Sequence, residues 1–319
     1  MSKIGTKITE STPVKFIINK SKEISFPGFR GIPLYDVVMF FLLQVKTVGM
    51  TERASAISFN FVMAIPPALI FLFTLLPFIP IPAQFENQLY GLIRDVIPGE
   101  KDNAVLISFI KDFINKPRNG LLSLSFILSM FFSSNALMGI MRSFDQNYIG
   151  FRKRKDIIER GVALKITLIL FLLVFISVLL LISREVVLEW LGIESKTLIF
   201  IIINARWIII VLLFFGSISF IYRYAPAVHK KWRFINPGSI LATFLMLLMT
   251  ILFSWWVSRF GTYNELYGSI GTVLILMVLI FINSLVLLIG FELNVSITSL
   301  KKIADERKDK SPDGTVKSE

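Results

Sequence analysis

The chain has 319 residues and no cysteine. Disulfides, thiol catalysis and cysteine-ligated metals are therefore excluded, and the redox compartment goes unread. There is one histidine, His229, in a basic loop. A Ser-His-Asp triad would need it at depth, beside residues that the topology derived below places elsewhere. No GxxxxGK[ST] phosphate loop is present, which excludes ATP hydrolysis by that route. No HExxH and no Cys/His metal spacing occurs. The expectation is a protein that is not an enzyme and has no cofactor and no metal site.

Charge is nearly missing from six apolar stretches, 57–79, 121–141, 162–182, 198–222, 239–257 and 269–289, which carry only Lys165 and Arg206. A helix needs roughly 20 apolar residues to cross a hydrocarbon core of about 30 Å. The mean hydropathy of +0.70 is that of a membrane protein. The first 50 residues hold no apolar run ending in a small-residue cleavage site, so the first span is expected to act as its own insertion signal.

The net charge of +12 could point to nucleic acid. Its distribution points elsewhere. With the N-terminus inside, the inner segments hold 24 Lys and Arg and the outer loops hold 8. This is the positive-inside pattern, and it predicts both termini in the cytoplasm, with six membrane crossings. Attraction of anionic lipid headgroups is a second use of the same charge. No aromatic-interleaved basic stripe appears, so nucleic acid is not expected as a partner. Membrane lipids are.

The chain divides into a polar, basic segment 1–32, expected to be loosely ordered, a membrane domain 33–298, and a charged tail 299–319, expected to be disordered. Pro33 opens a helix over 34–48 that is too short to span; it either lies in the inner interface or packs under the bundle. Pro66 and Pro67 in the first span predict a kink or break there. Such a break serves either a cavity, as in transporters, or packing. Within the outer loop 80–120, apolar residues recur at helical spacing on both sides of Pro98–Gly99, which predicts an outer helical hairpin. Trp190, Trp232, Trp255 and Trp256 sit in loops or near span ends and read as interfacial anchors.

Depth along the spans, at about 1.5 Å per residue, groups the polar residues. Asn60, Ser133, Ser134, Asn135, Asn283 and Glu292 all fall toward the cytoplasmic half. Polar groups are costly in lipid and tend to face the bundle interior. They either line an inner cavity for a headgroup or solute, or form interhelical hydrogen bonds worth ~0.6–2 kcal/mol each. Glu292 either pairs with an inner arginine such as Arg142 or Arg53 and fixes helix ends, or relays protons. Arg206, about 12 Å into the fourth span, either snorkels or pairs with an acid, or binds an anion from outside.

The ordered set Tyr222–Arg223–Tyr224–Ala225–Pro226, Trp232–Arg233, Pro237–Gly238, Tyr263 with Tyr267–Gly268–Ser269, and Gly290–Phe291–Glu292–Leu293–Asn294 resembles the YihY/BrkB family of bacterial inner-membrane proteins. Ala54–Pro67 and Ser133–Tyr148 resemble that family's first-span and second-span motifs. The resemblance runs from Asp36 to Asn294. Where many members have two aromatics, a serine and Phe-Pro in the first motif, this chain has Phe59 and Asn60, Ala64, and Pro66–Pro67. The resemblance implies a six-span, all-helical inner-membrane protein of bacteria linked to envelope integrity, with envelope proteins as partners and with lipid transport suggested for some members. The family has also carried a ribonuclease BN label, which the residues do not support. On their own chemistry, Pro237 and Gly238 mark the inner entry to the fifth span, and Tyr267 with Gly268 marks a tight outer turn.

The leading expectation is a binder or transporter of an anionic, lipid-like amphiphile. The alternative is a non-transporting scaffold or assembly factor for envelope machinery. A membrane ribonuclease is a remote third reading. No motif names a substrate, an energy source or an oligomeric state.

Overall fold

The computed structural model describes residues 12–47, 49–75, 119–145, 154–182, 196–228, 231–259 and 269–309, with positions 77, 107, 108, 111, 112, 148 and 151. Eight helices occur among them: α1 (Thr12–Glu23), α2 (Leu34–Thr47), α3 (Met50–Leu75), α4 (Asn119–Phe144), α5 (Asp156–Ile182), α6 (Lys196–Tyr224), α7 (Pro237–Arg259) and α8 (Ser269–Asp309). No strand occurs among the described residues; Phe151 and Val228 form an isolated antiparallel bridge. Among the described residues, four helices are long and apolar enough to cross a membrane, over Met50–Leu75, Gly120–Phe144, Pro237–Val257 and Val273–Arg307.

A helix covers each of the six expected apolar stretches, the first only as far as Leu75, and α5 and α6 are not among the four that qualify as spans. Three sequence expectations change. First, α3 continues through Pro66 and Pro67, so of the kink or break expected there the break does not occur. Two adjacent prolines cost two backbone donors, and the rest of the turn holds the helix together. Second, segment 1–32 is not loose throughout. It contains α1 and a loop closed by Leu34 N–H donating to the Ile24 carbonyl at 2.9 Å. That loop buries Phe29 and Ile32 against Val37 of α2 and Ile297 of α8, so apolar burial orders it. Third, α8 extends far beyond its apolar part, to Asp309. Leu293, Ile297 and Leu300 keep it packed on α2, and Lys301 pairs with Asp305 one turn on at 3.0 Å. The outer hairpin over 80–120 lies outside the described residues apart from short helical fragments at 107–108 and 111–112.

The chain divides into two compact units. The first comprises residues 1–58, 140–156 and 214–319; the second comprises 59–139 and 157–213. In the first unit, α7 packs along α8, α8 on α2, and α2 on α1. The α7–α8 contact is made by glycines. A Cβ on Gly290 would sit 2.6 Å from the Gly238 carbonyl oxygen, 2.6 Å from Tyr222 Oη and 2.7 Å from Ala242 Cβ. A Cβ on Gly238 would collide with the Gly290 carbonyl and the Asn294 amide. Small residues let membrane helices approach this closely. In the second unit, Phe71, Phe126 and Phe171 form a ring cluster with centroids 5.2–6.2 Å apart. Thr74 and Ser125 touch through their hydroxyls at 3.2 Å.

Candidate functional site

The segment Gly290–Phe291–Glu292–Leu293–Asn294 turns through one helical turn of α8, so its residues reach different neighbours. Gly290 and Asn294 are four apart and share the face toward α7. There the asparagine finishes a cap. Asn236 precedes α7, and its side-chain oxygen accepts from Ser239 N–H at 2.8 Å. Ser239 Oγ accepts from Asn236 N–H at 3.3 Å, which makes the cap reciprocal. Pro237 fills the first helical position, where no donor is needed. The remaining donor, Gly238 N–H, goes to Asn294 Oδ1 at 2.9 Å, and Asn294 Nδ2 donates to Asn236 Oδ1 at 2.6 Å. The structural roles expected for Pro237 and Gly238 are thus a helix start and a close helix crossing.

Phe291 is fully buried at the centre of an aromatic cluster. It stacks on Phe144 at 3.8 Å, with Trp232 at 5.5 Å and Tyr148, Phe151 and Tyr222 at 6.2–6.3 Å. Trp232 is therefore a core residue, only 3% exposed, and not the interfacial anchor expected of it. Trp255 and Trp256, by contrast, are exposed near the end of α7. Tyr222 Oη donates to the Leu287 carbonyl at 2.5 Å. Arg154 closes the end of α6 by donating to the carbonyls of Ala225 and Pro226 at 2.7 and 3.1 Å. A cation there meets the negative end of the helix dipole.

Glu292, fully buried, accepts on Oε1 from Arg53 Nη1 at 2.8 Å and from Tyr148 Oη at 2.5 Å. Of the two arginines that the sequence offers as partners, Arg53 is the one it meets. Arg53 also donates from Nη2 to the Ser143 carbonyl, one of the last carbonyls of α4, which has no partner within its own helix. One guanidinium thus joins the start of α3, the end of α4 and the middle of α8. Such a pair is strong mainly in the sense that breaking it is costly, because desolvation offsets much of the attraction. Burial, and then the Glu292 carboxylate, push the Tyr148 phenol above its ordinary value of 10.0. Glu292 Oε2 and Arg53 Nε have no hydrogen-bond partner among the described residues.

Asn283, higher on α8, is half-buried. Its Nδ2 donates to the Leu279 carbonyl at 3.1 Å, and its Oδ1 is buried with no partner among the described residues. Ser219 Oγ on α6 is in the same state.

The other polar residues expected to line a cavity belong to the second unit. Asn135 accepts from Arg160 Nη1, whose guanidinium also lies 4.6 Å from the centre of the Phe131 ring and 3.0 Å from Met138 Sδ. Ser134 is buried and bonds back to the Phe131 carbonyl at 2.8 Å; Ser133 is half-buried. Asn60 is half-buried and lies against Gly139, where an added Cβ would come within 3.1 Å of its Nδ2. The Arg206 side chain, and Tyr267 and Gly268, lie outside the described residues, as do Trp190, His229 and Tyr263.

Sequence reasoning missed three participants. Tyr148 and Arg160 sit in loop or helix-start segments with no local signature. The centrality of Phe291 depends on which rings surround it.

Long apolar helices with a buried ion pair near one end define the class: a helical membrane protein. The profile of the family described as Virulence factor BrkB matches residues 41–315, and the chain belongs to that family. It is similar to the ribonuclease-like protein YfkH of Bacillus subtilis (strain 168), at 27% identity over 259 residues, 80% of this chain and 92% of that one. Shorter similarity links it to UPF0761 membrane proteins. One, of Idiomarina loihiensis, is 34% identical over 106 residues, 33% of this chain and 34% of that protein. Another, of Tolumonas auensis, is 30% identical over 86 residues, 27% of this chain and 28% of that protein. No solved structure matches the chain.

Proposed function

We propose that this protein crosses the bacterial inner membrane six times with both termini in the cytoplasm, and that it binds or moves an anionic, lipid-like amphiphile. It works without a metal, a cofactor or catalysis. The charge asymmetry of the loops supports the orientation. The observation that carries the substrate reading is Asn283: an amide oxygen buried in an apolar helix with no partner among the described residues. Leaving such a group unpaired costs about 1–3 kcal/mol, and polar groups kept at that cost within membrane helices tend to serve substrates. Asn283 Oδ1 and Glu292 Oε2 are acceptors, suited to the hydroxyl or ammonium of a headgroup and not to its phosphate.

Reconstitution into liposomes with labelled phospholipid tests this reading. Wild-type protein is expected to accelerate exchange between leaflets. Asn283→Leu removes the unpaired amide and so is expected to keep or raise the thermal midpoint while exchange is lost. Unaccelerated exchange by folded wild-type protein would overturn the reading. Exchange unchanged in the variant would remove Asn283 from it.

One observation favours the second reading, a scaffold or assembly factor acting with envelope proteins. Glu292 and Asn135 are each engaged by an arginine within their own unit. Polar residues tied in this way serve packing. The same liposome experiment separates the two.

A further inference from the structure

Two concavities on the first unit share Arg30 and Lys301 as a common wall. One, of about 640 Å³, presents Arg30, Lys231, Arg233 and Lys301 against a single carboxylate, Asp305. The other, of about 750 Å³, is lined chiefly by Ile32, Pro33, Met39, Phe40, Leu43 and Ile303. Each is of a size that takes a ligand. A basic crevice opening onto an apolar groove has the polarity of an amphiphile with a phosphate at one end.

We infer that this crevice binds one anionic phospholipid of the inner leaflet, with its phosphate among Arg30, Arg233 and Lys301 and an acyl chain along the groove beside α2. Three observations converge on it. Arg30 has φ 54°, a conformation rare for a residue with a side chain, in a loop whose glycines at 28 and 31 have φ 96° and 82°. Glycine at position 30 would relieve that backbone, yet a guanidinium stands there, at the wall common to both concavities. Arg30 and Arg233 have no ion-pair partner among the described residues, whereas Lys301 is partly engaged by Asp305. Trp232, which lines the basic crevice, has a buried indole N–H without an acceptor among the described residues, a donor suited to a phosphate ester oxygen. The apolar side is equally unfilled: Met39 and Leu43 of α2 are 50% and 63% exposed, while Val37 on the opposite face is buried. An acyl chain covers such a face; water does so at a cost.

This inference rests on the preceding reading for the bilayer and for the inner side, not for transport. It supplies what the acceptors at Asn283 and Glu292 do not, a place for the anionic part of the ligand.

The experiment uses the full chain in phosphatidylcholine vesicles doped with a phosphatidylglycerol that carries a photoactivatable group in its acyl chain. Adducts are mapped by mass spectrometry. They are expected to concentrate in 30–43 and 300–307. Arg30→Gly removes the guanidinium and relaxes the backbone, so the thermal midpoint is expected to hold or rise while labelling falls about fivefold; Arg233→Gln is expected to lower it by a similar factor. Equal labelling by a phosphatidylcholine probe, or labelling unchanged in both variants, would overturn the inference. So would displacement of the lipid by glycerol phosphate at equal concentration, which would mark a site for free phosphate. Leaflet exchange measured on the same samples keeps the two proposals apart. Specific labelling without exchange supports this site and removes the transport reading. Exchange with unspecific labelling does the reverse.

Discussion

Arg53 in the first unit and Arg160 in the second both donate to side chains of other segments, but to different chemistry. Arg53 is 8% exposed and faces a fully buried carboxylate, with a phenol and a helix-end carbonyl completing its contacts. Arg160 is only half-buried and faces an amide oxygen, a thioether and the face of Phe131. The surrounding packing differs in the same sense. The first unit closes on glycines and a shared asparagine cap; the second meets through hydroxyls and phenylalanine rings. A guanidinium that keeps some access to water tolerates neutral partners. One withdrawn from water needs a counter-charge, because an uncompensated buried charge is the most expensive state available to it.

The largest expected effect breaks this contrast at its stronger end. Glu292→Leu leaves Arg53 buried beside an apolar side chain and is expected to cost ~3–5 kcal/mol. Asn135→Leu, the parallel change in the second unit, removes a neutral acceptor from a guanidinium that is half-buried and can turn toward water, and is expected to cost about 1 kcal/mol. Thermal unfolding of both variants in one detergent makes the comparison. Adding Arg53→Met to Glu292→Leu is expected to restore most of the loss, since the orphaned charge goes with it. A double variant as unstable as the single one would show that shape, not charge, holds the junction.

Next in size is the glycine crossing. Gly290→Ala places a methyl group where Gly238, Tyr222 and Ala242 already lie within 2.7 Å. Two of these contacts are backbone or a short side chain, so α7 and α8 must separate. Overpacking of this kind costs ~1–3 kcal/mol. Gly120→Ala and Gly161→Ala, where an added Cβ meets nothing within 4 Å, are the controls and are expected to leave the thermal midpoint unchanged.

These junctions were unequally legible in the sequence. The spans could be read because apolar length is a local property. The pairing of Glu292 with an inner arginine could be read because topology alone brings those span ends to one side. The bond between Arg160 and Asn135 could not, because it depends on the rotation of two helices about their own axes. Trp232 misled for a related reason: a tryptophan near a span end looks the same whether it anchors in lipid or fills a core, and only the position of Phe291 decides. Hydropathy ended the sixth span at 289, but it measures the bilayer and not the helix; Ile297, Leu300 and the pair Lys301–Asp305 continue α8 in a setting that hydropathy does not see. The prolines pointed to a kink or a break, and the break does not occur. The rule that proline breaks helices weighs two lost hydrogen bonds, and a 26-residue helix retains enough others to absorb them.

Tyr148 offers a smaller effect with a distinctive pH signature. Its phenol is held above 10.0 by burial and by Glu292. A group raised in this way stabilises the fold below its unfolded pKa, and that stability drains as the pH rises past 10 toward the folded value. Tyr148→Phe is expected to cost about 1 kcal/mol at neutral pH for the lost hydrogen bond and to flatten the alkaline decline. Stability curves of wild type and variant from neutral pH upward would check this; parallel curves would remove Tyr148 from the junction's titration.

The smallest effect is expected at the second unit's hydroxyl contact. Thr74 and Ser125 lie 3.2 Å apart and both are buried, which looks like an interhelical bond. Each hydroxyl has one proton, however. Thr74 can place its proton on the carbonyl of Ile70 or Phe71, at 3.0 and 2.9 Å, and Ser125 can place its own on Leu122 at 3.1 Å. When both bond back to their own helices, nothing is left to donate across. Removing one therefore orphans no proton. Thr74→Val keeps the shape and is expected to cost only about 0.6 kcal/mol, the usual value for interhelical polar contacts in membranes. A loss as large as that of Asn135→Leu would mean that the hydroxyls do bridge the helices, and the second unit would then depend on polar contacts as the first does.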